Sequence, residues 1–442
     1  MNTAVKDFLK QVIDLKIIDR DDLKNFLGEW SHQQPKQDAR FIARALVDRQ
    51  FLTEYQATVI LRGKGHLLCM KNYLIREKIE KGGMGTVFLA EHRTMRRNVA
   101  MKVLSKKNTH DSRAIRRFFL EAQTAARLCH PNITAAFDAD RDHGHWFLVS
   151  EYVDGEDFQK LVEQNGTLFP RVAIDLLLQA AKGLEFAHES GVTHRDIKPS
   201  NLMLNREGKV KLLDLGLARL EADADNTRLT CADVVMGTPH YMAPEQADQI
   251  DGADARSDIY SLGCTLFFLL TGEPPYNEKT VVRALIAHRD RAIPDLQNFR
   301  DDISPDLQIV LERMMAKDPN VRYQKMSEVI EDFESMKTGE RPRRALDGKH
   351  PSSHSGLQPS IDGLNQENAD ESAEYYLDDG ESQASVPTWQ IVSEKGTTSV
   401  DCISGDPRTE LSDSETPAGS RGAIERIASG VTSMLSFLKL PG

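Results

Sequence analysis

Cysteine is scarce and scattered in this 442-residue chain, with Cys69, Cys129, Cys231, Cys264 and Cys402 far apart. An odd number at such spacing offers neither a disulfide framework nor paired metal-ligand spacing, which leaves reduced thiols as the expectation. The 13 histidines form no zinc-type cluster. Long apolar runs are missing too; Leu-Phe-Phe-Leu-Leu at 266–270 is far too short to span a bilayer. No basic start leads into an apolar stretch and a small-residue cleavage site, so no secretory signal is expected and a cytoplasmic location follows. A basic excess is also absent. The net charge is −11, and residues 351–442 hold 15 Asp plus Glu against 5 Lys plus Arg, leaving the remainder close to neutral. Contact with a nucleic-acid backbone needs Lys and Arg gathered on one face, so nucleic acid is excluded as a partner.

With 40% apolar and 28% charged residues, the chain can bury a sizeable core. Three textures follow one another. Residues 1–70 carry apolar side chains at helical spacing, among them Phe8, Leu9, Val12 and Ile13, then Leu23, Phe26, Leu27 and Trp30. Phe41, Ile42, Ala45 and Leu46, then Leu52, Tyr55, Val59 and Ile60, continue the pattern, which predicts a small module of three or four short helices. From Tyr73 the runs turn short and β-branched. Strands are expected at 87–90, 99–103, 133–137 and 146–152, with a helix over 113–128. Beyond Glu151 the pattern is mainly helical, so a strand-rich lobe, a helix-rich lobe and a cleft between them are expected over residues 71–338. Residues 339–422, opened by Arg341-Pro342-Arg343-Arg344, are acidic and polar and read as a disordered tail. Near the end (423–440), Ile424, Ile427, Val431, Met434, Leu435 and Leu438 share one helical face, which suits a docking helix, a peripheral membrane contact or a weak helix without a role.

The chemistry-bearing residues start at a glycine turn, Gly82-Gly83-Met84-Gly85, between strands around Ile79 and Val87. Glycine lets backbone N–H groups approach phosphate oxygens, although such turns are also common in plain hairpins. Lys102, in Val-Ala-Met-Lys, sits on the next strand and Glu121 on the following helix. A surface Lys–Glu pair alone is worth about 0–1 kcal/mol, so this pair gains meaning only from its setting. The setting is supplied by His194-Arg195-Asp196-Ile197-Lys198-Pro199-Ser200-Asn201, then Asp214-Leu215-Gly216, then Ala243-Pro244-Glu245.

In that order and spacing the chain resembles the protein kinase family over about 270 residues. The resemblance implies an α+β, bilobal kinase fold and transfer of the γ-phosphoryl group of ATP to protein hydroxyls. It implies Asp196 as the group that orients and deprotonates the substrate hydroxyl, and Lys198 as a charge partner for the transferred oxygens. Asn201 and Asp214 would be hard oxygen ligands for Mg²⁺, with Mn²⁺ able to substitute. Lys102 would contact the α- and β-phosphates, fixed there by Glu121. Further nucleotide contacts are implied for Ile79, Gly82, Gly83, Met84, Gly85, Val87 and Ala100. Glu151 and Val153 belong to the lobe connection that reads adenine, and Asp157 is placed for the ribose. Ser150 would wall the inner pocket and, being small, admit bulky inhibitors.

Lys198-Pro199 and Gly237-Thr238-Pro239 resemble the serine/threonine branch, so protein Ser and Thr hydroxyls are the expected substrates. Thr238 would bond Asp196 and Lys198, Glu245 would pair with Arg322, and Asp258 would anchor the catalytic loop. Gly-Gly-Met-Gly, His130-Pro131-Asn132 and Ser-Asp-Ile-Tyr-Ser-Leu-Gly at 257–263 look like bacterial members. Leu52-Thr53-Glu54-Tyr55-Gln56-Ala57 is similar to planctomycete ones. Two positions depart from the family pattern. Glu80 replaces the first loop glycine, and is harmless if it points to solvent, the orientation expected here. Leu215 replaces the usual Phe. Arg195 beside Asp196 points to control by phosphorylation in the 217–236 loop, with Thr230 and then Thr227 as sites, or to a pairing with Glu221, Asp223 or Asp225 instead. The rival classes are a pseudokinase scaffold, for which Glu80 is the only favourable feature, and a small-molecule kinase, which Thr238-Pro239 and Ala-Pro-Glu oppose.

Overall fold

The computed structural model describes residues 3–31, 38–83, 85–105, 108, 111–214, 239–248 and 254–344. Met84, Leu215, Thr227, Thr230, Thr238, the acidic residues between them and the apolar segment 423–440 lie outside the described residues.

Four short helices open the chain: α1 (Thr3–Asp14), α2 (Arg20–Ser31), α3 (Ala39–Asp48) and α4 (Glu54–Leu61). A six-stranded antiparallel sheet follows, formed by β1 (Cys69–Met70), β2 (Tyr73–Lys81), β3 (Gly85–His92), β4 (Arg97–Leu104), β5 (Ala136–Asp142) and β6 (His145–Glu151), in the order β1-β2-β3-β4-β6-β5. Helix α5 (Ser112–Ala125) is inserted between β4 and β5.

The register sorts this sheet's side chains. Val87 lies opposite Lys102, which lies opposite Leu148, and Leu89, Ala100 and Ser150 line up likewise. Directly paired residues share a face of an antiparallel sheet. Leu148 and Leu104 bury with Phe118 and Ala122 of α5, so this is the face turned to α5 and the cleft. The alternate residues Val99, Met101, Phe147 and Val149 are fully buried on the opposite face, in one core with Val5, Phe8, Leu46 and Ile60 of the helices. The N-terminal helices thus cover the outer face of the small lobe.

The large lobe contains a three-stranded sheet of β7 (Gly155–Asp157), β8 (Leu202–Asn205) and β9 (Val210–Leu212). Its helices are α6 (Phe158–Asn165), α7 (Pro170–Glu189), α8 (Pro244–Asp248), α9 (Ala255–Thr271), α10 (Val281–Asp290), α11 (Pro305–Met314) and α12 (Met326–Thr338). Every residue of α9 from Ser257 to Leu270 is buried, including the polar Ser257, Asp258, Ser261 and Thr265 in its first half. It packs beside α7 in the largest core. No helix among the described residues is long and apolar enough to cross a membrane.

Two expectations need correction. The strand placed at 133–137 begins only at Ala136. Ile133 instead bridges to Leu212, and Thr134 N–H donates to the Leu212 carbonyl at 3.1 Å, so this stretch is stitched to the large lobe. The basic run 341–344, expected to open the tail, is bound to the large lobe. Arg341 pairs with Asp306 at 3.0 Å and Arg344 with Glu331 at 2.7 Å, while Arg344 N–H donates to Asp332. Composition reads those charges as solvated, and the carboxylates that receive them are remote in sequence.

The large lobe also holds a half-buried lysine whose hydrogen bonds go to neutral oxygens. Lys317 Nζ donates to the Tyr276 hydroxyl at 2.8 Å and to the His288 carbonyl at 2.6 Å. Burial pushes its ammonium down to about 8. The folded state therefore releases this proton at lower pH than the unfolded chain does, and the unfolded state binds more protons between about pH 8 and 10.5. The associated stability is present in full above that window and is lost as pH falls through about 8. Relative to Lys317→Met, the wild-type chain is expected to gain about 1–2 kcal/mol between roughly pH 7.5 and 9.5, read by denaturant unfolding at both values. A difference that stays flat or falls would contradict this account.

Candidate active site

The cleft brings together residues from five separate stretches. Lys102, on β4, reaches Glu121 Oε1 of α5 at 2.9 Å and Asp214 Oδ2, just after β9, at 3.1 Å. Burial lowers the Lys102 ammonium, but the Asp214 and Glu121 carboxylates outweigh it and raise the group well above its ordinary value. The ammonium in turn holds the Asp214 carboxyl below the usual carboxylate range. Glu121 is buried, which raises its carboxyl against the pull of Lys102. Asp214 differs, because 54% of its side chain is exposed, and only Oδ2 is engaged by the lysine. An ionised carboxylate open to solvent beside a fixed cation is a natural ligand for a divalent ion.

The opposite wall is the loop 194–201. Asp196 Oδ2 accepts from Lys198 Nζ at 2.9 Å and from Asn201 Nδ2 at 3.0 Å. Asn201 Nδ2 also donates to the Asp196 carbonyl at 2.7 Å, which commits its nitrogen and leaves Oδ1 as the atom available to a cation. This loop is held from beneath. Asp258, 1% exposed at the start of α9, accepts from His194 N–H at 2.8 Å and Arg195 N–H at 2.7 Å, and bonds His188 Nε2 at 2.8 Å. Those bonds stabilise the left-handed backbone of Arg195, φ 65°, which is costly for a residue with a Cβ. His194 Nε2 lies 2.9 Å from the Leu213 carbonyl, and Leu213 N–H donates to Asn201 O, so the loop and Asp214 are tied together. Gln246 adds a bond from Nε2 to the Arg195 carbonyl at 3.1 Å.

The glycine turn fits a phosphate group. A Cβ on Gly85 would lie 2.2 Å from the Val103 carbonyl, so packing alone demands glycine there. At Gly82 and Gly83 a Cβ would meet almost nothing, so the turn has room for a group laid against its backbone, with the Gly82 N–H itself donating to the Gly85 carbonyl at 2.9 Å. Glu80 is exposed, and pairing sets it opposite Val87. Its carboxylate lies near enough to Lys160 of α6 to help raise that ammonium, after the larger effect of the hydrogen bond that Lys160 donates to Asp157.

The remaining candidates are spread along the cleft edge. Val87 and Ala100 share the face of Lys102, and Ile79 is 48% exposed at the irregularity between Lys78 and Glu80. Val153 is buried in the lobe connection. Asp157 caps α6, accepting from Lys160 N–H at 2.9 Å, and pairs with Lys160 Nζ at 2.9 Å, so its carboxylate is already engaged. The Glu151 side chain turns away from the nucleotide face. Its Oε2 takes Lys211 Nζ of β9 at 2.8 Å and Ala135 N–H at 3.3 Å.

Lys211 and Gln246 were not singled out by the sequence. Gln246 adjoins Ala243-Pro244-Glu245 and could have been suspected; Lys211, 60 residues from its partner, carries no local signal. The Glu151–Lys211 pair joins the lobe connection to the strand that delivers Asp214. Lys211→Met is expected to raise the KM for nucleotide by about threefold to tenfold with a smaller change in kcat, because partly buried pairs of this kind contribute on the order of 1 kcal/mol. Unchanged KM would show that the pair is incidental.

Residues 73–333 match the family described as the protein kinase domain. The chain belongs to that family. Among curated proteins it is similar to the serine/threonine-protein kinase PknB of Mycolicibacterium smegmatis, 39% identical over 275 residues, covering 61% of this chain and 44% of that protein. It is likewise similar to PknB of Mycobacterium leprae, 41% identical over 266 residues, covering 59% of this chain and 42% of that one. The chain thus spans less than half the length of these curated relatives. Among solved structures, the Mycobacterium tuberculosis PknI kinase domain aligns with a TM-score of 0.49 at 27% identity, covering 61% of this chain and 96% of that one. The relatives named here are bacterial, and the family uses ATP and a divalent metal.

Proposed function

We propose that the chain transfers the γ-phosphoryl group of ATP to serine and threonine hydroxyls of proteins, through residues 71–338. The convergence of Lys102, Glu121, Asp214, Asp196 and Asn201 on one cleft carries this reading. Asp196 lies where it can orient a hydroxyl and take its proton, with Lys198 and Asn201 holding Oδ2 so that Oδ1 is left for the substrate. Lys102, locked by two carboxylates, sets a positive charge beneath the glycine turn, and Glu121 keeps it from swinging out. Asn201 Oδ1 and the exposed Asp214 carboxylate would hold Mg²⁺, with Mn²⁺ able to substitute. When bound, the ion neutralises phosphate charge.

Lys198-Pro199 and the named PknB relatives support serine and threonine over tyrosine. Arg195 beside Asp196 supports activation through Thr230, then Thr227. The helical segment ahead of the domain supports a planctomycete source, the location is cytoplasmic, and the apolar periodicity of 423–440 supports docking to a partner or a membrane surface. Incubating the purified chain with γ-labelled ATP, Mg²⁺ and a generic basic protein tests the proposal. Label is expected in phosphoserine and phosphothreonine. Label released only as inorganic phosphate, or none transferred, would overturn it.

A further inference from the structure

Helix α4 begins with a reciprocal cap. Thr53 Oγ1 accepts from Gln56 N–H, and Gln56 Oε1 accepts from Thr53 N–H, both at 3.1 Å. Such a cap needs nothing more, yet both side chains continue onto the sheet. Gln56 Nε2 donates to the Ile75 carbonyl at 2.9 Å and Thr53 Oγ1 to the Arg76 carbonyl at 2.5 Å. Gln56 is only 2% exposed, so its bond to Ile75 is made in a dry setting where an unpaired carbonyl is costly, while the Thr53 bond to Arg76 lies at the exposed end of the cap.

The two carbonyls lie at a special place in β2. Its pairing with β3 is interrupted between Ile75 and Glu77, and β1 pairs only with Tyr73 and Leu74. From Ile75 onward β2 is thus an edge strand with a bulge, and it runs directly into the glycine turn. Bulged edges bend and slip unless something holds them. The capping box of α4 occupies the side where a neighbouring strand is missing. Tyr55 of the same turn meets Phe88 of β3, ring centroids 6.0 Å apart, three residues past Gly85. Both strands of the hairpin that carries the turn are therefore touched by the first turn of α4.

We propose that the N-terminal helices are a built-in clamp on the glycine turn, with Thr53 and Gln56 as positioning residues for nucleotide phosphates. The proposal rests on the kinase reading above. The helices are then part of the catalytic unit, whose sheet would otherwise expose Val99, Met101, Phe147 and Val149.

The test uses the full chain, with KM and kcat for ATP, the Kd of a fluorescent N-methylanthraniloyl-ATP with Mg²⁺, and the thermal midpoint. Gln56→Met and Thr53→Val are expected to raise KM and Kd by about threefold or more with kcat within about twofold. Thr53→Ser keeps the hydroxyl and is expected to match wild type. Leu311→Ala, in the core of the large lobe and outside the clamp, supplies a stability control that lowers the midpoint and leaves KM and Kd unchanged. Should Gln56→Met fail to fold, the Thr53 Val and Ser pair decides alone. Unchanged KM and Kd in folded Thr53→Val, or an equal rise in Leu311→Ala, overturns the clamp. A wild-type chain that binds the fluorescent nucleotide without transferring phosphate refutes the kinase reading alone, and the binding constants still judge the clamp.

Discussion

Asp214→Asn is expected to leave the chain folded and to reduce phosphoryl transfer by about three orders of magnitude. The change is isosteric, and more than half of the side chain is exposed, so little packing is at stake. What disappears is the negative charge. Asp214 is the carboxylate on the open side of Lys102, held ionised by that ammonium at 3.1 Å through Oδ2, which leaves Oδ1 outside the pair. A neutral amide cannot balance a divalent ion in the same way. Glu121 still fixes Lys102 at 2.9 Å, so the lysine keeps its place and the loss falls on kcat more than on folding. The comparison is between kcat and the thermal midpoint of the two proteins. Activity within about tenfold of wild type would remove Asp214 from the proposed chemistry.

Glu245→Ala is expected to do the reverse and act through stability. Arg322, with no exposed side-chain surface, forms a two-pronged pair with Glu245, at 2.5 Å and 2.7 Å. Ser257 Oγ donates to the same carboxylate at 2.7 Å, and the guanidinium stacks over Tyr260 at 4.8 Å. Burial would raise the Glu245 carboxyl, but Arg322 prevails and holds it below its ordinary value. Among the described residues, removing the acid leaves the buried guanidinium hydrogen-bonded only to the carbonyls of Ala316, Lys317 and Arg256. Half-removal of such a pair costs about 3–5 kcal/mol, which corresponds to a midpoint lower by roughly 6–12 °C in a domain of this size. A shift under about 2 °C would mean that the pair contributes little net stability.

The residues proposed for catalysis were legible as a cluster because each sits in a short stretch whose chemistry is local. His194 to Asn201 is one loop, and its internal bonds, Asn201 to Asp196 and Lys198 to Asp196, span five residues or fewer. Lys102 and Glu121 could be paired because a strand followed by a helix brings them to one cleft. The four N-terminal helices were visible in their apolar periodicity. What they cover was not, since an amphipathic helix states that it has a partner without saying which. The same limit hid Lys211, whose acid lies 60 residues earlier, and the docking of Arg341 and Arg344 on acids of α11 and α12. Thr-x-x-Gln at 53–56 could have been read as a cap. Its second set of bonds, to Ile75 and Arg76, depends on a bulge that alternation of side chains does not encode. Ile133 and Thr134 read as strand by residue type, yet bond to Leu212 of β9 in the large lobe, because β-propensity does not choose the partner.

A crystal structure of the full chain with a non-hydrolysable ATP analogue and Mg²⁺ tests the central claim most directly. The account expects the terminal phosphate between the glycine turn and the Asp196 loop, Lys102 Nζ against the inner phosphates, and the cation on Asn201 Oδ1 and Asp214. An analogue bound elsewhere, or a cation held without those two residues, would contradict it.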